Sequence, residues 1–363
     1  MKEHDERRIP VAGTAGQREV RIAIVGCGAV AEVCHLPAAE ATPEVKVVAL
    51  VDTNLERART LGKQFDIKTC LGGIHEMPPD VEGVIVAVPN HLHAPLVMQL
   101  LRQKMPVLVE KPLALTENDA KAMVAEAKAG GVVLQVGLMY RFFKGAILMK
   151  RAVQEGWLGP IKSFQLESGI VYDWPATSDF IVRKDQAGGG ELVDVGSHML
   201  DLLLWWIGDV EDVRYKDDSQ GGVEADCEMT LTLRGPGGPV EGRVALSRLR
   251  KLTDTARIVG ENLTIECDLA SRDRVRVWPT GWKDQTVAFA SEFSGSGTQS
   301  WNEVFSDQLR SFGRAIRSGT GTFIQGGEVI STVGLIERCY RERQAMTFPW
   351  MENDRSEREG VRQ

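Results

Sequence analysis

Short apolar runs alternate with helical patterns from residue 21 to residue 136. The runs are RIAIV at 21–25, VKVVALV at 45–51, GVIVAV at 83–88, PVLV at 106–109 and a last one at 132–136. Each is short, β-branched and almost free of polar residues, the pattern of a buried strand. Between the last two, residues 116–129 form an alanine-rich helical stretch with Thr116 as N-cap and Asp119 in its first turn. Strands and helices alternating in this way predict an α/β domain with a doubly wound parallel sheet, whose ligands bind at the carboxyl ends of the strands.

After about residue 138 the period changes to two. Over 161–172, Phe164, Leu166, Ile170 and Tyr172 alternate with Ser163, Gln165 and Glu167. Over 224–233, Cys227, Met229, Leu231 and Leu233 alternate with Asp226, Glu228, Thr230 and Thr232. Runs at 240–246, 257–265 and 274–277 continue the series, and the Gly/Pro stretch 235–239 reads as a hairpin turn. The expectation is an open, mostly antiparallel sheet with one buried face, covered by an apolar helix over 191–207. Two helices close the chain, at 302–318 and 327–344, and the last is expected to pack back on the first domain. The expected organisation is a charged leader (1–20), a first domain (21–138), a second (139–326), the closing helix (327–350) and a solvated tail (351–363).

Composition narrows the classes of function. The chain has 363 residues, comfortable for two domains. A formal net charge of −7 argues against nucleic acid or an anionic membrane as the main partner. No apolar run approaches the ~20 residues of a membrane helix, and the leader lacks the apolar segment of a secretory signal. Six scattered cysteines show no metal or disulfide spacing and read as reduced residues of a cytoplasmic protein.

Two segments carry chemistry. The first strand runs into Gly26-Cys27-Gly28-Ala29-Val30-Ala31, a G-x-G-x-x-A turn opening a helix, and the second strand ends at Asp52. Strand, turn, helix, strand and acid in this order form a dinucleotide fingerprint, although an ordinary βαβ turn with a capping Asp shares the outline. On the fingerprint reading Gly26, Gly28, Ala29 and Val30 approach the pyrophosphate at the helix N-terminus, and Asp52 binds ribose hydroxyls. The second segment, GGGELVDVGSHMLD at 188–201, opens on three glycines. Asp194 and His198 are four apart and Asp201 three further on, which puts all three on one helix face. Such groups are costly to bury without partners. A histidine satisfied by its neighbouring Asp, two ligands of a metal site and a proton-transfer pair all fit that spacing. No metal is expected, since the cysteines offer no paired spacing to complete a catalytic zinc set.

The GCGAVA turn, Glu110-Lys111-Pro112 directly after the run at 106–109, GLMYRF at 137–142 and AGGGELVDVGSHMLD stand in one chain. Together they resemble the glucose-fructose oxidoreductase / inositol dehydrogenase / rhizopine-catabolism (Gfo/Idh/MocA) family, over residues 21–344. The resemblance implies a Rossmann domain followed by an α/β domain with an open sheet, and an NAD(H)-dependent oxidoreductase acting on a sugar, cyclitol or nucleotide sugar. It implies catalytic roles for Lys111, Asp194 and His198, with Lys111 or His198 as the formal acid–base. It implies a Pro112 that is often cis, and a cofactor also approached by Pro89, Asn90, His93, Glu110 and Lys111. Ala31 stands at the third fingerprint glycine. Tyr140 and Arg141 fall either at the substrate or at a structural hydrogen bond of the domain junction. Trp174, before the glycine run, is a candidate for stacking on a sugar, whereas Trp205 and Trp206 read as core and His35 and His75 as structural or exposed. A homodimer or homotetramer through the open sheet face is implied as well. Some members resemble NAD-dependent glycosidases with a net hydrolytic outcome, and one resembles a non-catalytic regulator; Lys111, Asp194 and His198 all being present disfavours the latter.

Overall fold

The computed structural model describes residues 18–346, apart from 172–174, 176–177, 283–286 and 291–297. The first sheet contains β1 (Val20–Val25), β2 (Val45–Val51), β3 (Thr69–Leu71), β4 (Gly83–Val86), β5 (Val107–Glu110) and β6 (Leu134–Gly137). They lie in the order β3-β2-β1-β4-β5-β6, and every pair is parallel. The absence of alternation in these runs has a direct cause. Ile22, Ile24, Leu50, Ile85 and Leu108 enter one core, while Ala23, Val25, Val84, Val86 and Val109 enter another on the opposite face. The short, half-buried β3 left no apolar run to read.

The first of those cores corrects the expected domain boundary. Helix Trp301–Ser318, assigned by position to the second domain, lays Phe305, Leu309 and Phe312 against Ile22, Ile24 and Leu36. These three residues form one apolar stripe, and that stripe matches the first sheet. Ser300 and Glu303 close a capping box at its start. The last helix, Ile330–Arg341, packs on helix Glu117–Gly130 and on helix Gly196–Trp206, so it joins the two halves.

The second sheet holds β7 (Ile161–Gly169), β8 (Val210–Asp217), β9 (Asp226–Gly235), β10 (Gly238–Ser247), β11 (Thr255–Gly260), β12 (Leu263–Asp268), β13 (Arg274–Pro279), β14 (Val287–Ala290) and β15 (Gln344–Ala345). Their order is β14-β13-β12-β11-β7-β10-β9-β8-β15. The pairs β7–β10 and β8–β15 are parallel and the others antiparallel. The run 257–265 is a hairpin rather than one strand, turning at Glu261 and Asn262. β8 escaped the pattern because charged residues surround its inward Val213 and Tyr215. Two expected faces also change. Ile170 is 56% exposed because β7 ends at Gly169, and Asp226 is buried, bonded by Arg250. Leu166, Leu231, Val244 and Ile258 form the inner face, while Gln165, Glu228, Arg243 and Arg257 stand exposed on the other.

Between the halves lies a buried ion pair. Arg141, in the turn after β6, donates from Nε to Asp201 Oδ2 (2.8 Å) and from its terminal nitrogens to Asp201 Oδ1 (2.7 Å) and Glu328 Oε2 (3.0 Å). Arg141 and Asp201 are 3% and 1% exposed, so Arg141 belongs to the junction and does not face a substrate. Breaking such a pair strands a charge in the core. Arg141→Met is expected to lower stability to chemical denaturation by about 3–5 kcal/mol. The double variant Arg141→Met/Asp201→Leu should recover most of that loss.

Candidate active site

The cofactor end is built at the carboxyl edge of the first sheet. Gly26 has φ +98°, and a Cβ there would lie 2.3 Å from the carbonyl oxygen of Ala87, so a side chain would close the turn. A helix starts at once at Ala29 and continues to Glu40. The first amides of a helix have no intrahelical partner, and here they are those of Gly28, Ala29 and Val30. Asp52, just past β2, is held by the amides of Cys27 (2.7 Å to Oδ2) and Asn54 (2.7 Å to Oδ1). Arg57 bonds the Cys27 carbonyl (2.8 Å) and Glu32 (2.5 Å). The loop thus offers a glycine-lined cradle beside a fixed carboxylate, a set that fits the diphosphate and a ribose diol of a dinucleotide.

Two of the residues expected near the cofactor, Glu110 and His93, turn inward. In the widened π-turn Ala31–His35 the fully buried His35 reaches Glu110, with Nε2 2.8 Å from Oε1. Burial raises the Glu110 carboxyl, but the hydrogen bond and charge of His35, with Lys111, outweigh it and hold Glu110 below the usual range. Glu110 Oε2 also accepts from the Lys111 amide (3.2 Å). His93, completely buried, sets Nδ1 2.7 Å from the Pro112 carbonyl and Nε2 2.9 Å from that of Val88, which lowers its exposure to any ligand to nothing. Glu110 and His93 therefore support the loops beside the cofactor instead of lining the cleft. Pro89 precedes a 3₁₀ turn, and Asn90 donates from Nδ2 to the Ala187 carbonyl (2.8 Å), reaching the second domain.

The catalytic candidates meet where β5 faces that domain. The Lys111–Pro112 peptide is cis. Lys111 Nζ donates to the Asp194 carbonyl (3.0 Å) and to Asp194 Oδ1. A break in the helix makes the first of these possible. Helix Glu191–Asp194 ends at Val195 and helix Gly196–Trp206 begins. The His198 amide turns to the Val195 carbonyl (3.0 Å), which leaves that of Asp194 for Lys111. The glycine turn before it is held from behind. A Cβ on Gly190 would lie 1.9 Å from the Glu224 carbonyl oxygen. The buried Glu224 Oε1 accepts from Gly190 N (3.0 Å), Leu192 N (2.9 Å) and Tyr340 OH (2.7 Å).

The three polar residues expected on one face go separate ways. Asp194 binds Lys111 and Arg248, Asp201 binds Arg141, and His198 stacks on Tyr140 with ring centroids 4.3 Å apart and planes 11° apart. Tyr140 stacks in turn on Phe143 (4.3 Å). His198 is buried, and among the described residues its Nδ1 has no hydrogen-bond partner. Burial first, and the Lys111 ammonium second, push the imidazole well below its ordinary value, only partly opposed by Asp194. His198 is accordingly neutral near pH 7. Asp194 shows the opposite balance: burial raises it, but Lys111 and Arg248 prevail and keep it ionised. A fixed cation and a neutral imidazole at one cleft can stabilise a developing alkoxide and move its proton. Trp174 lies outside the described residues. Glu191, Glu224 and Arg248 escaped the sequence reading; the one available signal was a charged residue just past the end of β10. Among the described residues no group of three or more His, Cys, Asp or Glu is placed to hold a metal ion, and no helix is long and apolar enough to cross a membrane.

Comparison with known proteins bears on the family and the fold. Residues 20–138 match the model of an oxidoreductase family with an NAD-binding Rossmann fold, and 147–266 match the Gfo/Idh/MocA C-terminal domain. A levoglucosan dehydrogenase of Pseudarthrobacter phenanthrenivorans is 30% identical over 277 residues, 70% of either chain. A myo-inositol 2-dehydrogenase of Thermotoga maritima is 23% identical over 322 residues, 85% of this chain and 91% of the relative. The solved structure of a levoglucosan dehydrogenase in complex with NADH and levoglucosan superposes with a TM-score of 0.79 at 20% identity, over 90% of this chain and 97% of that one. The chain belongs to the Gfo/Idh/MocA family: it is an oxidoreductase with an NAD-binding Rossmann domain.

Proposed function

We propose that this enzyme transfers hydride between NAD(H) and a ring carbon bearing a secondary hydroxyl or ketone, in a sugar, cyclitol or nucleotide sugar. The observation that carries the reading is the contact of Lys111 with Asp194. It joins the strand end beside the cofactor cradle to the domain that covers it. The relatives that act on levoglucosan and myo-inositol support the substrate class. NAD(H), when bound, supplies the nicotinamide carbon that takes or gives the hydride. Lys111 places positive charge beside the substrate oxygen, where charge develops. His198, neutral near pH 7, accepts the hydroxyl proton in oxidation or returns one in reduction. Asp194 holds the lysine in place, and Tyr140 supports the imidazole from behind. Gly26, Gly28, Ala29, Val30, Pro89 and Asn90 frame the cofactor, with Asp52 on its ribose.

Three outcomes are expected. Screening sugars, inositols and nucleotide sugars by thermal shift with saturating NAD should identify a substrate. On it, His198→Ala should lose about 10²–10⁴ in turnover with unchanged NAD affinity, and Lys111→Ala the same or more, since charge stabilisation goes as well. Near-native turnover of both variants would remove these residues from the chemistry.

Calorimetry should show tighter binding of NAD(H) than of NADP(H). The Asp52 carboxylate repels a 2′-phosphate, and Arg57 is engaged by Glu32 and the Cys27 carbonyl. Equal or tighter binding of NADP(H) would contradict it. Light scattering at micromolar concentration should give a dimer or tetramer, assembled through the sheet face carrying Gln165, Glu228 and Thr230; a monomer mass would refute that assembly.

A further inference from the structure

Arg248 stands one residue past β10, where its amide bonds the Ala225 carbonyl (2.9 Å). Its side chain is 11% exposed and reaches back to the turn that presents Asp194. Nε donates to Glu191 Oε2 (2.9 Å), and a terminal nitrogen donates to Asp194 Oδ2 (3.2 Å). Glu191 and Asp194 are three apart on one helical turn, where two carboxylates repel. A planar guanidinium can meet both at once, which the single ammonium of a lysine does less well. The Arg248 contact uses Oδ2 of Asp194, and the oxygen left is Oδ1, the one bound by Lys111.

We propose that Arg248 is a positioning residue of the hydride-transfer site: it aims Asp194 at Lys111 and limits how tightly that carboxylate holds the ammonium. The proposal rests on the reading of Lys111 as the active-site lysine. Two carboxylates and two cations face one another here, Glu191 and Asp194 against Arg248 and Lys111, with the neutral His198 beside them. Burial pushes Glu191 up to about 7, although Arg248 opposes it. Glu191 gains its charge only as the pH rises past about 7, whereas Asp194, which burial raises but Lys111 and Arg248 together bring below its ordinary value, is charged throughout the neutral range. Arg248 shares that charge with Lys111. Without Arg248 the full field of Asp194 falls on the Lys111 amine, which becomes less available as a nucleophile.

Competitive labelling tests this without a substrate. Full-length protein is acetylated with trace acetic anhydride at pH 8–9, and Lys111 is quantified by mass spectrometry against the exposed Lys63 of the same chain. In Arg248→Met and in Arg248→Gln the relative rate at Lys111 should fall about three- to tenfold, the scale of one charge lost at contact distance in a partly screened site. Arg248→Lys should restore most of the rate, because it returns the charge. A role confined to stability would lower Tm and leave the Lys111 rate unchanged. Unchanged or faster labelling in the Met and Gln variants, or no recovery with Lys, overturns the proposal. Near-native turnover of Lys111→Ala would instead overturn the functional reading, whatever the labelling shows.

Discussion

The ion pair between Lys111 and Asp194 ties the two halves of this enzyme together at the point where chemistry is expected. Lys111 belongs to the carboxyl edge of a parallel sheet, and Asp194 to a broken helix of another domain. A strand end aims its side chain only as well as the loop beyond it is fixed. Here the loop is fixed twice, by the His93 ring on the Pro112 carbonyl and by the Glu110 carboxylate on the Lys111 amide. On the other side, Glu224 takes the first amides of the turn that carries Asp194. A lysine and an aspartate on flexible loops would pay side-chain entropy for a weak, solvent-screened contact. Held from behind and half-buried, the same two groups keep one geometry.

The polar residues around the pair act mainly as supports. His35, His93, Arg141, Asp201 and Glu224 are all buried. Each is joined to another buried polar group or to backbone, as burial requires. These contacts concentrate where elements of different origin meet: the fingerprint helix with β5, the end of β6 with helix Gly196–Trp206, and the glycine turn with helix Ile330–Arg341. The residues of the candidate site are therefore backed by a second set of buried, hydrogen-bonded groups.

The protonation of the site follows from the same burial. His198 lies on Tyr140, away from water and near the Lys111 charge, and both influences favour the neutral ring. Asp194 is held ionised by two cations, and Glu191, three residues earlier, is pushed up. Two carboxylates of one turn thus titrate in different ranges because their surroundings differ. Asp194 is the fixed countercharge of Lys111, and the neutral imidazole of His198 lies beside the pair.

The amino-acid sequence by itself determined the two-part architecture. Apolar runs buried on both faces in one half, and period-two alternation in the other, are local patterns that follow from how strands pack. It also determined the fingerprint turn and the acid at Asp52, because tight backbone approach needs glycine at Gly26. Lys111, Asp194 and His198 were legible through motif resemblance. Their partners were not. The spacing of Asp194, His198 and Asp201 placed them on one face, yet the break at Val195 and the approach of Lys111, Tyr140 and Arg141 sent each to a different neighbour. Helix Trp301–Ser318 looked like part of the second domain by position, and only the match of its apolar stripe to the first sheet decided otherwise. Arg248 and Glu224 lie 54 and 34 residues from the groups they hold. Contacts at that separation depend on strand register and on which loop faces which. No local pattern encodes these; they exist only once the chain has closed.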